Sequence, residues 1–268
     1  MGKGQLVPQA QDGGKPTILK NVDGQYAVEV TGQNLALVTF SNGTSITVDT
    51  AQLGQRHDME LWLAVRASLE LTASEFSSVL GKSVFTKRET LLLRKLGRDP
   101  NPFTGNAATA WGLRCEPIAV AEYVTVSGCT VEETGLHVHA TDLGLGASPD
   151  GLVFDPTREA EGLDPHGLLE VKCLFGRRNK KEIGTFDHCP KRFYDQIQGQ
   201  LEVCDREFCD LFVWIPRNSK RPNAQRVRVL RNREYWADIM APAIAAFRED
   251  VRTAQSSGAE ERAVCVAA

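Results

Sequence analysis

Two short apolar segments, near residues 150 and 170, constrain this chain most, because they are predicted neighbouring strands that carry charged groups. Asp150 stands between a proline and a glycine, which is typical of a turn, and the apolar run 152–154 favours a short strand. A second strand is predicted over 168–173, apolar except at Glu170 and Lys172. Because side chains alternate along a strand, Glu170 and Lys172 point to the same face. Adjacent strands would then bring two carboxylates and one ammonium group together, a ligand set suited to metal-assisted cleavage of phosphodiesters.

A buried structural salt bridge is the main alternative. It would explain Glu170 and Lys172, but it leaves Asp150 unexplained. Two carboxylates about 5 Å apart repel by roughly 3 kcal/mol at an effective dielectric constant of 20. One lysine offsets only part of that repulsion among clustered acids, whereas a divalent cation offsets more of it.

The chemistry of phosphodiester hydrolysis suggests which atoms would hold the metal. Hard cations such as Mg²⁺ or Mn²⁺ prefer carboxylate and carbonyl oxygens, and two such ions can activate water, neutralise phosphate charge and assist the leaving oxygen. We therefore predict Asp150, Glu170 and the backbone carbonyl of Val171 as ligands. Lys172 would position or help deprotonate the attacking water and stabilise developing negative charge.

The composition is that of an ordinary globular protein. The 268 residues are 42% hydrophobic and 24% charged, enough for one large domain or a core with an appendage. No apolar run approaches the length of a membrane span, and the first residues lack the apolar core of a signal peptide, so we expect an intracellular protein, cytoplasmic or nuclear, with no membrane partner. Seven cysteines without a C-x-x-C pair argue against a zinc ribbon, an iron–sulfur cluster or a disulfide framework.

Basic residues are unevenly distributed. The net charge of −3 argues against a chain that coats nucleic acid non-specifically. Yet residues 217–233 hold seven basic side chains and no acidic one, and 177–181 form a second basic run just after the Glu170 strand. Such runs are often only solvated surface, but two of them beside a metal-ligand motif favour contact with phosphates.

The chain divides into four parts. Residues 1–16 are rich in Gly, Gln and Pro and are expected to be disordered. Short β-runs with turn signals predict a small antiparallel sheet of about three strands over 17–50, which must pack on a second surface. We interpret this sheet as a stabilising appendage in preference to a DNA- or partner-contacting module. The main domain is expected over 57–253, followed by a flexible tail, 254–268.

Helix and strand patterns alternate through the main domain. Helices are predicted over about 72–81, 86–97, 107–123, 190–204 and 234–253. Strands are expected near 134–139, 152–155, 168–173, 208–214 and 226–230. Pro117 weakens the case for an unbroken third helix. The pattern predicts an α/β fold with a mixed central sheet flanked by helices.

Five sequence blocks stand in a consistent order within residues 57–250. They are Leu71–Glu75, Ala110–Pro117, Gly146–Leu152, Leu169–Cys173 and Tyr194–Leu201. Together they resemble the YqaJ-type viral recombinase family, which includes phage lambda exonuclease, within the PD-(D/E)xK nuclease superfamily. The resemblance implies a restriction-endonuclease-like α/β core. The β-rich N-terminal segment is not part of that shared core.

The resemblance implies a role for each matched residue of the catalytic centre. Asp150 and Glu170 would be the principal metal ligands, and Lys172 the catalytic lysine. Glu116 would be an additional metal-site carboxylate supplied by a helix. Gln196 would lie beside the site and orient Lys172 or the attacking water. Taken alone, Glu116 could equally be an exposed helix acid and Gln196 a helix-surface amide.

Three further positions match those that hold the 5′-phosphate of a DNA end in the lambda-type enzymes. They are Arg66, Ser74 and Ser148. Arginine binds phosphate through two parallel hydrogen bonds, and hydroxyl groups add directional ones. The alternatives are structural: Ser74 could serve only in the first turn of a helix, and Ser148 only in a turn.

Other residues near the motif are assigned to structure. His137 and His139 alternate on a predicted strand, and we favour core or edge roles for them over metal ligation. Leu174 stands where the family often has a proline, which would change the exit of the strand and leave catalysis intact.

The resemblance implies a metal-dependent deoxyribonuclease, a 5′→3′ exonuclease on linear double-stranded DNA that leaves 3′ single strands for recombination. By analogy, it suggests a single-strand annealing protein as partner and a homo-oligomer, although nothing in the sequence establishes the trimeric ring of the lambda-type enzymes. The alternatives are an endonuclease or repair nuclease on the same core, and a non-catalytic DNA-end-binding module. Clustered acids argue against the last, because a pure binder has no need of carboxylates facing DNA phosphates.

Overall fold

The computed structural model describes residues 17–19, 26–54, 59–177, 187–216 and 223–267. The predicted disordered segment 1–16 lies outside the described residues, as do most of the basic run 177–181 and the start of the basic run 217–233.

The strands of the described residues fall into three sheets. They are β1 (Thr17–Leu19), β2 (Tyr26–Gly32), β3 (Leu35–Phe40), β4 (Ser45–Asp49), β5 (Leu71–Thr72), β6 (Thr130–Glu132), β7 (His137–Val138), β8 (Leu145–Ala147), β9 (Gly151–Phe154), β10 (His166–Cys173), β11 (Phe208–Trp214) and β12 (Ala224–Leu230). The helices are α1 (Met59–Ser68), α2 (Ala73–Val79), α3 (Arg88–Lys95), α4 (Ala107–Ser127), α5 (Pro156–Ala160), α6 (Lys191–Val203), α7 (Arg233–Tyr235) and α8 (Ala241–Ala267). A π-helical stretch, Trp236–Met240, joins α7 to α8.

The central sheet has five strands in the order β12-β11-β10-β9-β6. Its middle pair, β10 and β11, is parallel, and the remaining pairs are antiparallel. The mixed central sheet flanked by helices that the sequence predicted is therefore confirmed. Leu169 pairs with Gly151 at the end of the β9–β10 ladder, so the turn that carries Asp150 lies beside the middle of β10.

The alternation of β10 assigns its two faces to different helices. Leu169 and Val171 pack with α4 in one core cluster, whereas Leu168 packs with α2, α6 and α8 in another. Glu170 and Lys172 share the Leu168 face because side chains two residues apart project the same way. Residues 170 and 172 are thereby turned toward α6, which carries Gln196.

The N-terminal sheet has four strands in the order β1-β2-β3-β4, one more than predicted. Its inner side is apolar and fully buried at Val30 and Val38, and it packs on Val65 of α1 and on Leu136. A three-stranded sheet, β5-β8-β7, lies between this core and α2. The N-terminal sheet thus shares its core with the helix that carries Arg66.

Two element boundaries differ from the prediction. Helix α4 runs unbroken through Pro117 to Ser127. Pro117 and Leu113 both lie on the exposed side of the helix, so water can solvate the carbonyl group that loses its helical donor. The last helix continues to Ala267, beyond its predicted end at 253.

The helices can be compared with the length and apolar character that a membrane-crossing helix needs. Within the part of the chain that the structure describes, no helix is both long enough and apolar enough to cross a membrane.

Candidate active site

Glu170 lies at the centre of β10 with 3% of its surface exposed, and its carboxylate is held from three sides. Gln196 Nε2 donates to Oε1 at 2.8 Å, and Gln200 Nε2 donates to Oε2 at 2.7 Å. The Lys172 ammonium group forms an ion pair with Oε1. These contacts compensate the burial of the carboxylate and fix its orientation.

Lys172 stands two residues further on the same face of β10. Its Nζ pairs with Glu170 and donates to Gln196 Oε1 at 3.2 Å. Burial lowers the pKa of Lys172, but the carboxylates of Glu170 and Asp150 outweigh it, so the pKa is raised. A raised pKa keeps the lysine positively charged at neutral pH. It therefore favours stabilisation of negative charge over removal of a proton from water.

Asp150 stands just before β9 and is hydrogen-bonded to β10 where the β9–β10 ladder ends. Its backbone N–H donates to the Leu169 carbonyl at 2.9 Å, and its Oδ2 accepts from the Val171 N–H at 2.6 Å. Burial raises the pKa of Asp150 well above its usual value, and the charges of Glu170 and Glu116 add to the effect, against Lys172 and the Val171 N–H. The site therefore carries more negative charge than its lysine compensates.

Glu116 reaches the site from α4, on the other side of the central sheet from α6. It is half-buried, and its charge raises the pKa of both Asp150 and Cys173, which places it within electrostatic range of the β10 edge. The structure thus brings together the residues predicted for the catalytic centre: Glu116, Asp150, Glu170, Lys172 and Gln196.

The donor set fits a hard divalent cation in chemistry. Carboxylate oxygens are the ligands that Mg²⁺ and Mn²⁺ prefer, and a cation would relieve the repulsion that raises the pKa of Asp150. Among the described residues, however, no three His, Cys, Asp or Glu side chains form a ready-made metal-binding group. Glu170 is directed instead toward Lys172 and the two glutamines.

The three predicted phosphate-binding residues are only partly brought together. Arg66 donates from one terminal nitrogen to Thr72 Oγ1 and to Ser74 Oγ, both at 2.9 Å. Burial lowers the pKa of Arg66, and Glu75 opposes this. Ser148 instead donates to the carbonyl of Gly135 at 3.1 Å, which joins its segment to the one before β7.

A cleft of about 940 Å³ leads to the site. Lys172 and Gln196 lie in its wall, together with Ser74. Arg66 lines a neighbouring pocket of about 430 Å³, which shares Arg94 with the cleft, and it is bonded to Ser74 of the cleft.

Gln200 is the site residue that sequence reasoning missed. It is buried on α6, one helical turn after Gln196, and it donates to the oxygen of Glu170 that Gln196 does not contact. The signal was present, because glutamines four residues apart on a helix project to the same side.

The histidines and the described basic residues are engaged in structural contacts. His137 is buried against Thr134 at 2.8 Å, and burial lowers its pKa to about 4. Arg228 binds both oxygens of the buried Asp210 at 2.8 Å, and Arg231 pairs with Glu202 at 2.8 Å. These two arginines of the run 217–233 are thus committed to internal ion pairs, whereas Arg226 and Arg233 of the same run are more exposed.

Comparison with known proteins gives a family match. The family model of the YqaJ-like viral recombinase domain matches residues 61–207. An uncharacterised protein of Acanthamoeba polyphaga mimivirus is 32% identical over 152 residues, 56% of this chain. The chain spans 27% of the length of that relative.

Solved structures show the same fold. The alkaline exonuclease LHK-Exo of Laribacter hongkongensis is 27% identical, with a TM-score of 0.58 over 77% of this chain and 99% of its own. Its complex with dAMP gives a TM-score of 0.54 at 27% identity, over 75% and 98% of the two chains. A phage-related exonuclease of Haemophilus somnus, 15% identical with a TM-score of 0.51 over 70% and 96%, supports the fold alone.

Proposed function

The chain belongs to the YqaJ-like viral recombinase domain family, and from this membership and the geometry of the site we propose that it is an exonuclease that hydrolyses DNA. The 27% identity to the alkaline exonuclease LHK-Exo supports a nuclease of the exonuclease type. We assign catalysis to residues 57–253 and regard 17–50 as an appendage that supports α1.

One observation carries this proposal: a lysine, a glutamate and a glutamine are bonded to one another at the wall of an open cleft. Glu170, Lys172 and Gln196 form this cluster, and Asp150 stands beside it. A structural ion pair alone would not need additional carboxylates close enough to raise the pKa of Asp150. The charged Lys172 would stabilise negative charge that develops on phosphate, and Gln196 would hold its Nζ in place.

We further propose that the enzyme depends on Mg²⁺ or Mn²⁺, with two ions held by Asp150, Glu170, Glu116 and the backbone carbonyl of Val171. When bound, such ions neutralise charge on phosphate and make water a better nucleophile. The side chains present would bind and orient them, since all are oxygen donors.

The finer proposal is 5′→3′ digestion of linear double-stranded DNA, which leaves a 3′ single strand for recombination. The Arg66–Ser74 contact supports it, since it joins a guanidinium to a hydroxyl that lines the cleft, and both groups are suited to a terminal 5′-phosphate. Ser148 would join them only by exchanging its bond to Gly135. A single-strand annealing protein as partner and a homo-oligomeric assembly are part of the proposal by family analogy.

The test compares linear duplex DNA, with and without 5′-phosphates, with closed circular DNA. With Mg²⁺ we expect digestion of the phosphorylated linear duplex and little cutting of circles, and with EDTA no digestion. Lys172→Ala should lower the rate by 10²-fold or more, because removing one electrostatic stabiliser of the transition state costs about 10²–10³-fold. The matched control is Lys87→Ala, at an exposed lysine outside the cleft lining, which should keep the wild-type rate.

Three results would contradict the proposal. Circles cut as readily as linear duplex would indicate an endonuclease. Activity that survives Lys172→Ala in folded protein would reject the site assignment. DNA binding without metal-dependent hydrolysis would indicate a non-catalytic end-binding module.

A further inference from the structure

Two phenylalanines at the mouth of the active-site cleft are more exposed than large apolar side chains ordinarily are. Phe85 has 83% of its surface exposed and Phe103 has 60%. Single exposed apolar side chains are common, but apolar side chains grouped along one cleft favour a contact surface, because burial of their area on binding is favourable.

The two rings belong to the loops at either end of one short helix. Phe85 lies between α2 and α3, and Phe103 lies between α3 and α4. Both line the cleft in whose wall Lys172 and Gln196 stand. A molecule that reaches the catalytic lysine through this cleft therefore passes within reach of both rings.

The charge of the cleft favours a polyanion as the occupant. Its described lining includes Arg94, Lys172 and Arg192 and no aspartate or glutamate. Lys172 is paired with Glu170, and Arg94 is partly compensated by Asp99 at 2.6 Å, whereas the Arg192 guanidinium lies over the ring of Phe193 at 4.6 Å. The chain as a whole carries a net charge of −3, so this cationic lining is a local feature.

The remaining polar lining is neutral and able to hydrogen-bond. It consists of Ser74, Ser77, Ser83, Thr86, Asn106, Thr109 and Gln196. Cations and hydroxyl groups that follow a phosphate backbone, interleaved with exposed aromatic rings, are the features of sites that bind single-stranded nucleic acid.

We propose that Phe85 and Phe103 form a base-stacking platform for unpaired nucleotides of the DNA strand whose end is processed at Lys172. The inference rests on the proposed function and adds that the cleft holds the strand with its bases unpaired. Bases inside a duplex are already stacked on both faces, so apart from the outer face of a terminal pair, only unpaired bases can lie against the two rings. Stacking is tolerant of sequence because every base has a π-face.

The test measures affinity in the absence of divalent metal, so that nothing is cut. The probe is a fluorescein-labelled single-stranded oligonucleotide with a 5′-phosphate, titrated with full-length protein and followed by anisotropy. Phe85→Ala and Phe103→Ala should each weaken binding about fivefold or more, since one base–aromatic stack contributes about that factor. Phe→Tyr at either position should keep wild-type affinity, whereas Phe→Leu should weaken binding because it keeps apolar area but loses the ring.

The matched control is Val126→Ala, which shortens an apolar side chain on α4 that is equally exposed, at 60%, and lies outside the cleft lining. Its affinity should equal that of the wild type. Circular dichroism should show unchanged folding in every variant, because the substituted side chains are exposed.

A second experiment removes the DNA base that would stack, in place of the phenylalanine ring. An oligonucleotide with abasic sites at its first nucleotides should bind the wild-type protein more weakly. The same change should have little further effect on the Phe85→Ala, Phe103→Ala double variant, because the stacking contact is already lost. This non-additivity distinguishes stacking from a general loss of cleft shape.

The outcomes separate this inference from the proposed function. Three results would each overturn the platform: alanine variants that keep wild-type affinity, additive losses of affinity with abasic DNA, or a wild-type protein that does not bind the oligonucleotide. If the variants keep their affinity for DNA but lose binding of a single-strand annealing protein, the rings belong to a surface for a protein partner. Coupled losses of binding in a protein with no nuclease activity would keep the platform and reject only the exonuclease proposal.

Discussion

Burial and two neighbouring acids both oppose ionisation of the Asp150 carboxyl group. Its carboxylate accepts one backbone hydrogen bond and faces two other acids, with a single lysine to compensate them. Keeping Asp150 ionised in the folded protein therefore costs free energy. In an enzyme that uses divalent ions, that cost is the counterpart of affinity for the ion.

The first prediction concerns Asp150→Asn in the absence of divalent metal. The folded state raises the pKa of Asp150 above its ordinary value of 3.8. Below pH 3.8 the carboxyl group is protonated in both the folded and the unfolded protein and costs no stability. As the pH rises from 3.8 through the raised pKa, the unfolded protein ionises more readily than the folded one, so the folded protein loses stability. Asp150→Asn should therefore raise the Tm at neutral and alkaline pH, by about 2–4 °C for each kcal/mol relieved. Thermal melts in EDTA, from acid to alkaline pH, measure the effect.

The Asp150→Asn melts have an internal control and a metal arm. Asp164→Asn should not raise the Tm, because a hydrogen bond from the His166 backbone lowers the pKa of Asp164 and so gives the opposite sign. Added Mg²⁺ should raise the Tm of the wild type more than that of Asp150→Asn, since binding to the folded state stabilises it. An equal gain in both proteins would remove Asp150 from the metal site.

At the scale of elements, α4 is the support of Glu116. The buried Tyr123 donates from its hydroxyl to Asp210 Oδ2 at 2.7 Å and thereby anchors α4 to β11. Arg228 holds the same carboxylate through both oxygens. The network lies two helical turns after Glu116, so it sets how the helix that carries this acid meets the central sheet.

The prediction for this element is Tyr123→Phe. Loss of a hydrogen bond to a charged group costs about 1.5–3 kcal/mol, and the low end is expected because Arg228 still compensates Asp210. Urea denaturation should show the lower free energy of unfolding. If α4 shifts Glu116, the Mg²⁺ concentration that gives half-maximal nuclease activity should also rise. Tyr194→Phe on α6, whose ring packs on Tyr235 at 5.3 Å, is the comparison with an expected smaller cost. A stability unchanged by Tyr123→Phe would deny the anchor.

At the scale of the whole molecule, the N-terminal sheet and the nuclease core are joined by a shared apolar cluster. Val30 and Val38 of the sheet contact the same group of buried side chains as Trp62 and Val65 of α1. Asn34 Oδ1 also accepts from the Val138 N–H at 2.7 Å. The sheet is thus packed against the helix that positions Arg66.

The corresponding prediction is that Val30→Ala destabilises the entire chain in one transition. Two buried methyl groups removed from a packed core cost about 1.5–3 kcal/mol, including the cavity they leave. Urea unfolding followed by tryptophan fluorescence and by circular dichroism should coincide. Ile46→Ala, on the more exposed β4, is the control and should change stability little. Separate transitions would show that the sheet folds apart from the nuclease core.

The sequence alone predicted what short-range periodicity controls. Alternation along β10 put Glu170 and Lys172 on one face, and the turn at Asp150 followed from its proline and glycine neighbours. The helix carrying Gln196 was evident from its apolar spacing. Each of these depends on residues a few positions apart, where backbone geometry alone relates one side chain to the next.

Only the tertiary structure decided which partners those side chains meet. Gln200 reaches Glu170 from 30 positions away, and Tyr123 reaches Asp210 from 87. Ser148 is bonded to Gly135, although its motif suggested a phosphate contact. The physical reason is that such contacts depend on how helices dock on the sheet, which the packing of many side chains determines together. The sequence by itself therefore determined the acids and the lysine of the site, and the fold decided how strongly they are held and what lines the cleft above them.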